Sequence, residues 1–392
     1  MRTVGVEEEL LVVDADGTPV PQAPEALTVA ARRGEGEDVE QHDRAERGEE
    51  TGVPDTARLM PELKAQQLEL GTPVCSTLGQ VHDQLRHWRD RADAAAVAVG
   101  ARVAALATSP VAVEPVPTEG ERYERLVDTF GRTAEEVLTC GCHVHVSVAD
   151  DEEAVAVLNR IRGWLPVLTA LSANSPFWQG RDSSYASFRS EVWHRWPSAG
   201  PNAPFADAAE YHAVVDAVLA TGTVLDTGMV YFDARLSATW PTVEVRTADV
   251  ALRVEDAVTL AGVVRGLVET AAREARAGVA PPEIRAEVLR LATWRAGRSG
   301  LSGDLVHPRT GRPAPAVDVL GDLLDHVRPA LADAGDEARV GEGLDALLTR
   351  GTGADLQRRV HRETGSLAAV VRAAVGVTAG EDTARAVAGA SR

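Results

Sequence analysis

Residues 3–13 read Thr3-Val4-Gly5-Val6-Glu7-Glu8-Glu9-Leu10-Leu11-Val12-Val13, an apolar run with three consecutive carboxylates in its middle. Its β-branched composition predicts a strand. A strand alternates its side chains between faces, so Glu7 and Glu9 share one face and Glu8 points to the other. Two like charges on one face repel, and burying either without a partner costs several kcal/mol. The chain must therefore solvate that face at a sheet edge or supply a cation. Oxygen ligands suit Mg²⁺ or Mn²⁺ better than zinc. Taken alone, a solvated edge strand explains the run as well as a metal does.

Three further segments set charge or histidine inside β-type sequence. In Thr139-Cys140-Gly141-Cys142-His143-Val144-His145-Val146-Ser147-Val148, His143 and His145 fall on one face, with Cys142, Val144 and Val146 on the other. That split argues against one zinc site made from all four Cys and His residues. The histidines are either paired in a core or ligands for Mg²⁺ or Mn²⁺. In Pro241–Val250, Glu244 and Arg246 share a face. They form a plain ion pair, or a metal ligand beside an arginine that steadies a phosphate. Residues 61–75 read as one strand ending at Gly71-Thr72-Pro73, with Glu69 between two leucines. Glu62 is an odd number of residues from Glu69, so a bulge or bend is needed to bring both to one site. A sheet gathering Glu7, Glu9, Glu69, His143 and/or His145, and Glu244 on one face would be a multi-metal carboxylate cradle. Solvated faces on four separate strands explain the pattern less well.

Composition narrows the function classes. The 392 residues carry 40 Lys+Arg against 59 Asp+Glu, a net charge of −19, so no affinity for nucleic acid or an anionic membrane is expected. No apolar stretch approaches a membrane span, and the first residues lack a basic-then-apolar leader. Three cysteines make no disulfide framework and fit a reducing cytoplasm. Lys64 is the only lysine, and the sequence has no Gly-x-x-x-x-Gly-Lys-Ser/Thr motif. Nucleotide phosphates would have to be held by arginines and metal ions. No Gly-x-Gly-x-x-Gly follows a strand, which argues against a Rossmann domain.

The remaining pattern predicts a turn at 14–17, an exposed loop over 32–58, and a helix over 77–100 capped by Ser76. It predicts a strand over 103–109, helices over 151–173 and 211–221, and an irregular Trp-, Ser- and Arg-rich segment over 174–204. Strands follow over 230–237 and 242–250, then a helix over 254–278 and mostly helix to a flexible tail at 376–392. Alternation this irregular favours one α/β (α+β) domain over 1–392, with a mainly antiparallel sheet faced by helices.

Gly5-Val6-Glu7-Glu8-Glu9, Glu69-Leu70-Gly71-Thr72-Pro73, Cys140–His145 and Glu244-Val245-Arg246 resemble the type 2 glutamate–cysteine ligases. These are the carboxylate–amine ligases of the glutamine synthetase superfamily. Ala173–Trp178, Gly180-Arg181-Asp182, Tyr185–Arg189, Arg195-Trp196-Pro197, Trp294-Arg295-Ala296, Gly300-Leu301, Gly351–Ala354 and Gln357-Arg358 match as well. The resemblance runs from residue 3 to about 372.

The resemblance implies a curved, mainly antiparallel sheet with helices on its convex side. Its concave face would hold Mg²⁺ (or Mn²⁺), ATP and substrate. It implies an ATP-dependent ligase that forms a γ-glutamyl amide through a γ-glutamyl phosphate. The acid is glutamate or a similar acid, and the amine is cysteine or another amine. Glu7, Glu9, Glu69, His143 and Glu244 are the implied metal ligands, with Glu62 and His145 behind them. Glu244 and Arg246 are the implied catalytic pair, Arg246 contacting the transferred phosphoryl group. Arg189, Arg181, Arg295 and Arg358 are the implied nucleotide- or substrate-binding arginines. Trp178, Trp193 and Trp196 suggest a lid or acceptor pocket, or loop packing at a sheet edge. No enzyme nucleophile is required, so Cys140 and Cys142 read as small buried residues. A metal-dependent amidase on the same cradle and a catalytically silent nucleotide-binding relative are the competing readings. A homodimer is the working guess for assembly.

Overall fold

In the computed structural model, residues 1–46 and 57–390 are described. The apolar runs read from the sequence become β1 (Val4–Val13), β2 (Leu59–Pro61), β3 (Gln67–Gly71), β4 (Arg102–Ala104) and β5 (Gly141–Ser147). A small hairpin follows, β6 (Phe177–Trp178) and β7 (Arg181–Asp182), then β8 (Ala234–Leu236) and β9 (Thr242–Asp249). Seven of these strands form one sheet in the order β2-β3-β1-β5-β9-β8, with β4 paired to β1. Every pairing in it is antiparallel.

The alternation in β1 decides what each face does. Glu8 lies on the face covered by helices and is fully buried. Its carboxylate meets Arg89, from the helix Leu78–Ala98, in two bonds of 2.7 Å. Arg89 also donates to the carbonyls of Ala251 and Leu252 at 2.6 and 3.0 Å. The same face carries Val4, Val6, Leu68, Leu70, Cys142 and Val144 into the main core. Helices Leu78–Ala98 and Val254–Arg276 supply Leu78, Val81, Leu85, Val263 and Leu267 to it. Glu7 and Glu9 are left on the other face.

Several boundaries differ from expectation. The predicted strand 61–75 is a hairpin: β2 pairs with β3, Met60 opposite Glu69, around a turn closed by Gln67 N–H donating to the Lys64 carbonyl. The N-cap is Thr77 rather than Ser76; its side chain accepts from Gln80 N–H, and Gln80 accepts from the Thr77 N–H in return. The predicted helix 151–173 breaks into Asp151–Ile161 and Leu165–Ser172, bent by 70°. Pro166 cannot donate back into the first helix, so the second must start there. The segment 174–204 holds the β6–β7 hairpin and a short helix, Arg189–Trp193. Part of the loop expected over 32–58 is a helix, Val39–Glu46, and residues 47–56 lie outside the described residues. The tail expected to be flexible carries a helix, Thr383–Ala390, which buries Ala386 and Ala390. Its alanines give it an apolar stripe inside what the sequence reading took for a flexible Ala/Gly-rich tail. No single helix among the described residues is long and apolar enough to cross a membrane.

Candidate active site

Strand register assembles the predicted residues on the face away from the helices. Glu9 sits opposite Glu69, Glu7 opposite both Gly71 and His143, and His145 opposite Glu244. A bulge in the β5–β9 pairing, between Cys142 and Val144, gives β9 one extra residue. Glu62 joins from the turn after β2, so the bend its spacing required is the hairpin itself. All of Glu7, Glu9, Glu62, Glu69, His143, His145, Glu244 and Arg246 line one cavity of about 530 Å³. A second cavity, about 670 Å³, adjoins it across Glu7, Glu69 and His145.

Within this cluster, His143 Nδ1 is 3.3 Å from Glu7 Oε2 and His145 Nε2 is 3.4 Å from Glu7 Oε1. His143 also lies 3.8 Å from Glu9 and 3.9 Å from Glu244. Among the described residues, two sets have ligand atoms within 4.8 Å of one another: Glu7, Glu69 and His143, and Glu7, His145 and Glu244. Glu7 belongs to both. The Nε2 atoms of His143 and His145 are buried and have no hydrogen-bond partner among the described residues. Orphaned imidazole nitrogens beside crowded carboxylates fit divalent ions sharing Glu7. The cysteines take no part: Cys142 pairs with Glu8 on the core side, and burial holds the Cys140 and Cys142 thiols far above their usual range.

Electrostatics reflects the same crowding. Burial, reinforced by Glu7, Glu62 and Glu9, pushes Glu69 well above the ordinary carboxylate range. Burial and then Glu9 raise Glu62 to about 7. Burial also raises Glu9, against the opposing pull of Arg189 and the Gly141 N–H. For Glu7, burial is outweighed by His145 and His143, and the carboxyl is held well below its usual value. Glu244 is held low by Arg246 and Arg235, again against burial. Burial and Arg246 drop His143 to about 4, whereas Glu7 overcomes burial to raise His145. A cation would relieve the Glu69–Glu62–Glu9 repulsion and keep these groups ionised.

Arg246 pairs with Glu244 and lies over the Tyr231 ring, 5.7 Å from its centroid. Sequence reasoning missed Arg235, which grips Glu244 at 2.7 and 3.3 Å and donates to the carbonyls of Thr227, Gly228 and Val230. The alternation of β8 would have found it. Arg89 was missed too, though it interrupts the apolar stripe of its helix between Leu85 and Ala92. Arg122, bonded to Asp226 at 3.0 Å at the cavity wall, left no signal, because 104 residues separate the partners.

The four arginines predicted for nucleotide or substrate contacts are not brought to this cavity. Arg189 is buried, over the Trp193 ring at 5.4 Å. A Cβ at residue 141 would sit 2.3 Å from its Nη2, so any side chain there must displace the Arg189 guanidinium. The Gly141 N–H in turn donates to Glu9 at 2.6 Å. Arg189 thus backs the ligand strand. Arg358 pairs with Asp182 at 2.7 and 3.0 Å, Arg181 is exposed on β7, and Arg295 is half-buried on the helix Ala286–Ser299. Of the three tryptophans singled out in the sequence, Trp193 and Trp196 line the cavity, and Trp178 packs against Phe188.

Residues 3–373 match the model of glutamate-cysteine ligase family 2. The chain belongs to that family. A protein of Streptomyces coelicolor provisionally named glutamate–cysteine ligase 2 is 52% identical over 375 residues, 96% of this chain and 98% of its own. A similarly named protein of Streptomyces avermitilis is 49% identical over 380 residues, 97% of this chain and 100% of its own. Among solved structures, the Francisella tularensis glutamate–cysteine ligase, in complex with AMP, superposes with a TM-score of 0.64 at 13% identity. It covers 100% of this chain and 91% of its own. A bifunctional glutathione synthetase from Pasteurella multocida gives 0.66 at 16%, covering 98% of this chain and 52% of its own. At those identities the likeness establishes the fold, the one the resemblance implied. Family membership makes the chain an ATP-dependent ligase of the carboxylate–amine class.

Proposed function

We propose that this ligase uses ATP to activate the γ-carboxylate of glutamate, or of a similar acid, and joins it to an amine. The observation that carries the reading is Glu7, shared by two sets of ligand atoms with orphaned histidine nitrogens, close to Arg246. Glu7, Glu69 and His143 would hold one divalent ion, and Glu7, His145 and Glu244 a second. Mg²⁺ or Mn²⁺ bound there supplies charge neutralisation for the phosphate oxygens. The two cavities meeting at Glu7 give nucleotide and acid separate approaches to it.

In the reaction, a carboxylate oxygen of the acid bonds to the γ-phosphorus of ATP as the bond to the β–γ bridging oxygen breaks, releasing ADP. The amine nitrogen then bonds to the acyl carbon. The carbon–oxygen bond to the phosphate breaks, phosphate leaves with that electron pair, and the nitrogen loses a proton. Arg246, fixed by Glu244 and the Tyr231 face, offers its guanidinium to the equatorial oxygens of the transferred phosphoryl group. Arg235 keeps Glu244 ionised and oriented. Positioning and charge stabilisation then supply most of the catalysis. All three cysteines are unpaired and buried, in keeping with a cytoplasmic enzyme.

Purified protein with ATP, Mg²⁺, glutamate and a panel of amines tests the reading, with products weighed by mass spectrometry. The expected product has the mass of glutamate plus amine minus water, formed with one phosphate per bond. Hydrolysis of an amide without ATP turnover would instead support an amidase.

A further inference from the structure

The arginines that line the carboxylate cavity divide by what they hold. Arg235 and Arg246 both grip Glu244. Arg122, on the helix Glu121–Phe130, instead meets Asp226 at the cavity wall. Its Nε is 3.0 Å from Oδ2 and its Nη2 is 3.2 Å from Oδ1. Asp226 also caps the short helix Thr227–Met229, accepting from the Met229 N–H at 3.2 Å. The two side chains keep 26% and 38% of their surface exposed. An ion pair this wet adds about 0–1 kcal/mol to stability, so the fold alone does not account for it. Arg122, Asp226 and Arg246 all act electrostatically on the buried Tyr231 hydroxyl, so the pair and Arg246 lie around one ring.

We propose that Arg122 and Asp226 select the acid by its far end, Arg122 taking an α-carboxylate and Asp226 an α-ammonium. The acid is then an α-amino acid with a second carboxylate on its side chain, rather than a plain diacid or a simple amino-alkanoate. The proposal rests on the ligase reading and adds to it the residues that choose the substrate. A zwitterion lies head to tail across such a pair, so neither Arg122 nor Asp226 has to give up its counter-charge to bind it. A diacid would bring only negative charge to Asp226, in a cavity already crowded with carboxylates. An acid lacking the α-carboxylate would forgo the arginine. With the head fixed at the wall, the side-chain carboxylate extends inward to the ions and Arg246, which is the positioning that phosphoryl transfer needs.

The test is kcat/KM for L-glutamate, glutarate and 4-aminobutyrate with saturating ATP and Mg²⁺. Hydroxylamine, which attacks any acyl phosphate, stands in for the amine, and each hydroxamate is confirmed by mass. Glutarate lacks the ammonium and 4-aminobutyrate lacks the α-carboxylate, so glutamate should exceed each by at least ~10-fold. Arg122→Gln should erase the preference over 4-aminobutyrate and keep that over glutarate. Asp226→Asn, which retains a capping side chain, should do the reverse. Wild-type protein without either preference, or variants that slow all three acids equally, would overturn the proposal, since a merely structural pair has no such crossed signature. Absence of product with every acid counts against the ligase reading instead. Calorimetric binding of the same three acids to wild type and both variants then decides: the crossed pattern in affinity supports the pair as the selector, and equal affinities refute it.

Discussion

Arg89→Met isolates the middle glutamate of the first strand. Glu8 and Arg89 are both essentially inaccessible, and two 2.7 Å bonds join them. Methionine matches the arginine stem in bulk, so packing is largely kept while the Glu8 carboxylate loses its counter-charge. An uncompensated buried partner costs about 3–5 kcal/mol. The carbonyls of Ala251 and Leu252 lose their donors as well, which adds about 1 kcal/mol or more. In a chain of this length, about 4 kcal/mol lowers the melting temperature by about 5 °C. The double variant Glu8→Leu/Arg89→Met removes both charges and leaves only the two carbonyls short of donors. It should recover at least ~2 kcal/mol of the Arg89→Met loss, a coupling measurable by urea denaturation of wild type, both single variants and the double. A single-variant loss under ~1 kcal/mol, or losses that simply add, would refute the assignment of Glu8 to a structural pair distinct from its neighbours.

Glu7→Gln should lower kcat by about 10³-fold or more and also lower the melting temperature, since His145 and His143 favour the Glu7 carboxylate in the fold; assay and thermal melt are run on the same preparation. Gly141→Ala drives a Cβ into the Arg189 guanidinium, so a loss of about 1–3 kcal/mol in urea denaturation and a lowered kcat are expected. Asp233 is buried, and burial raises its carboxyl from 3.8 to about 7. Between those values the folded chain holds a proton the unfolded chain has lost, so stability falls as pH rises through that window and the penalty is complete above it. Asp233→Asn should therefore stabilise by on the order of 2–4 kcal/mol at pH 8 and by nothing at pH 4, read from denaturation midpoints at the two pH values.

Much of the site was legible because strand alternation is a strict rule. The facing of Glu7 and Glu9, the separation of His143 and His145 from Cys142, and the sharing of a face by Glu244 and Arg246 all follow from a period of two. Strand adjacency did not follow: that Glu9 meets Glu69, and that His145 meets Glu244, depends on pairing across 60 and 99 positions. Glu62 was readable only as a puzzle, because its odd spacing from Glu69 conceals a hairpin. Arg89 was missed since a lone arginine in an apolar stripe carries no sign of its partner. Arg181, Arg295 and Arg358 came from resemblance alone, and the backbone leaves all three away from the main cavity. Helix ends misread where one residue controls them, as at Thr77 and Pro166.

The shared use of Glu7 by two ions is the account's central claim, and a Mn²⁺ titration read by electron paramagnetic resonance tests it most directly. The titration is run with and without a non-hydrolysable ATP analogue. Wild-type protein is predicted to take up two Mn²⁺ ions with spin coupling between them, Glu69→Gln to lose one, and Glu7→Gln to lose both. Two uncoupled ions, or uptake indifferent to Glu7→Gln, would contradict it.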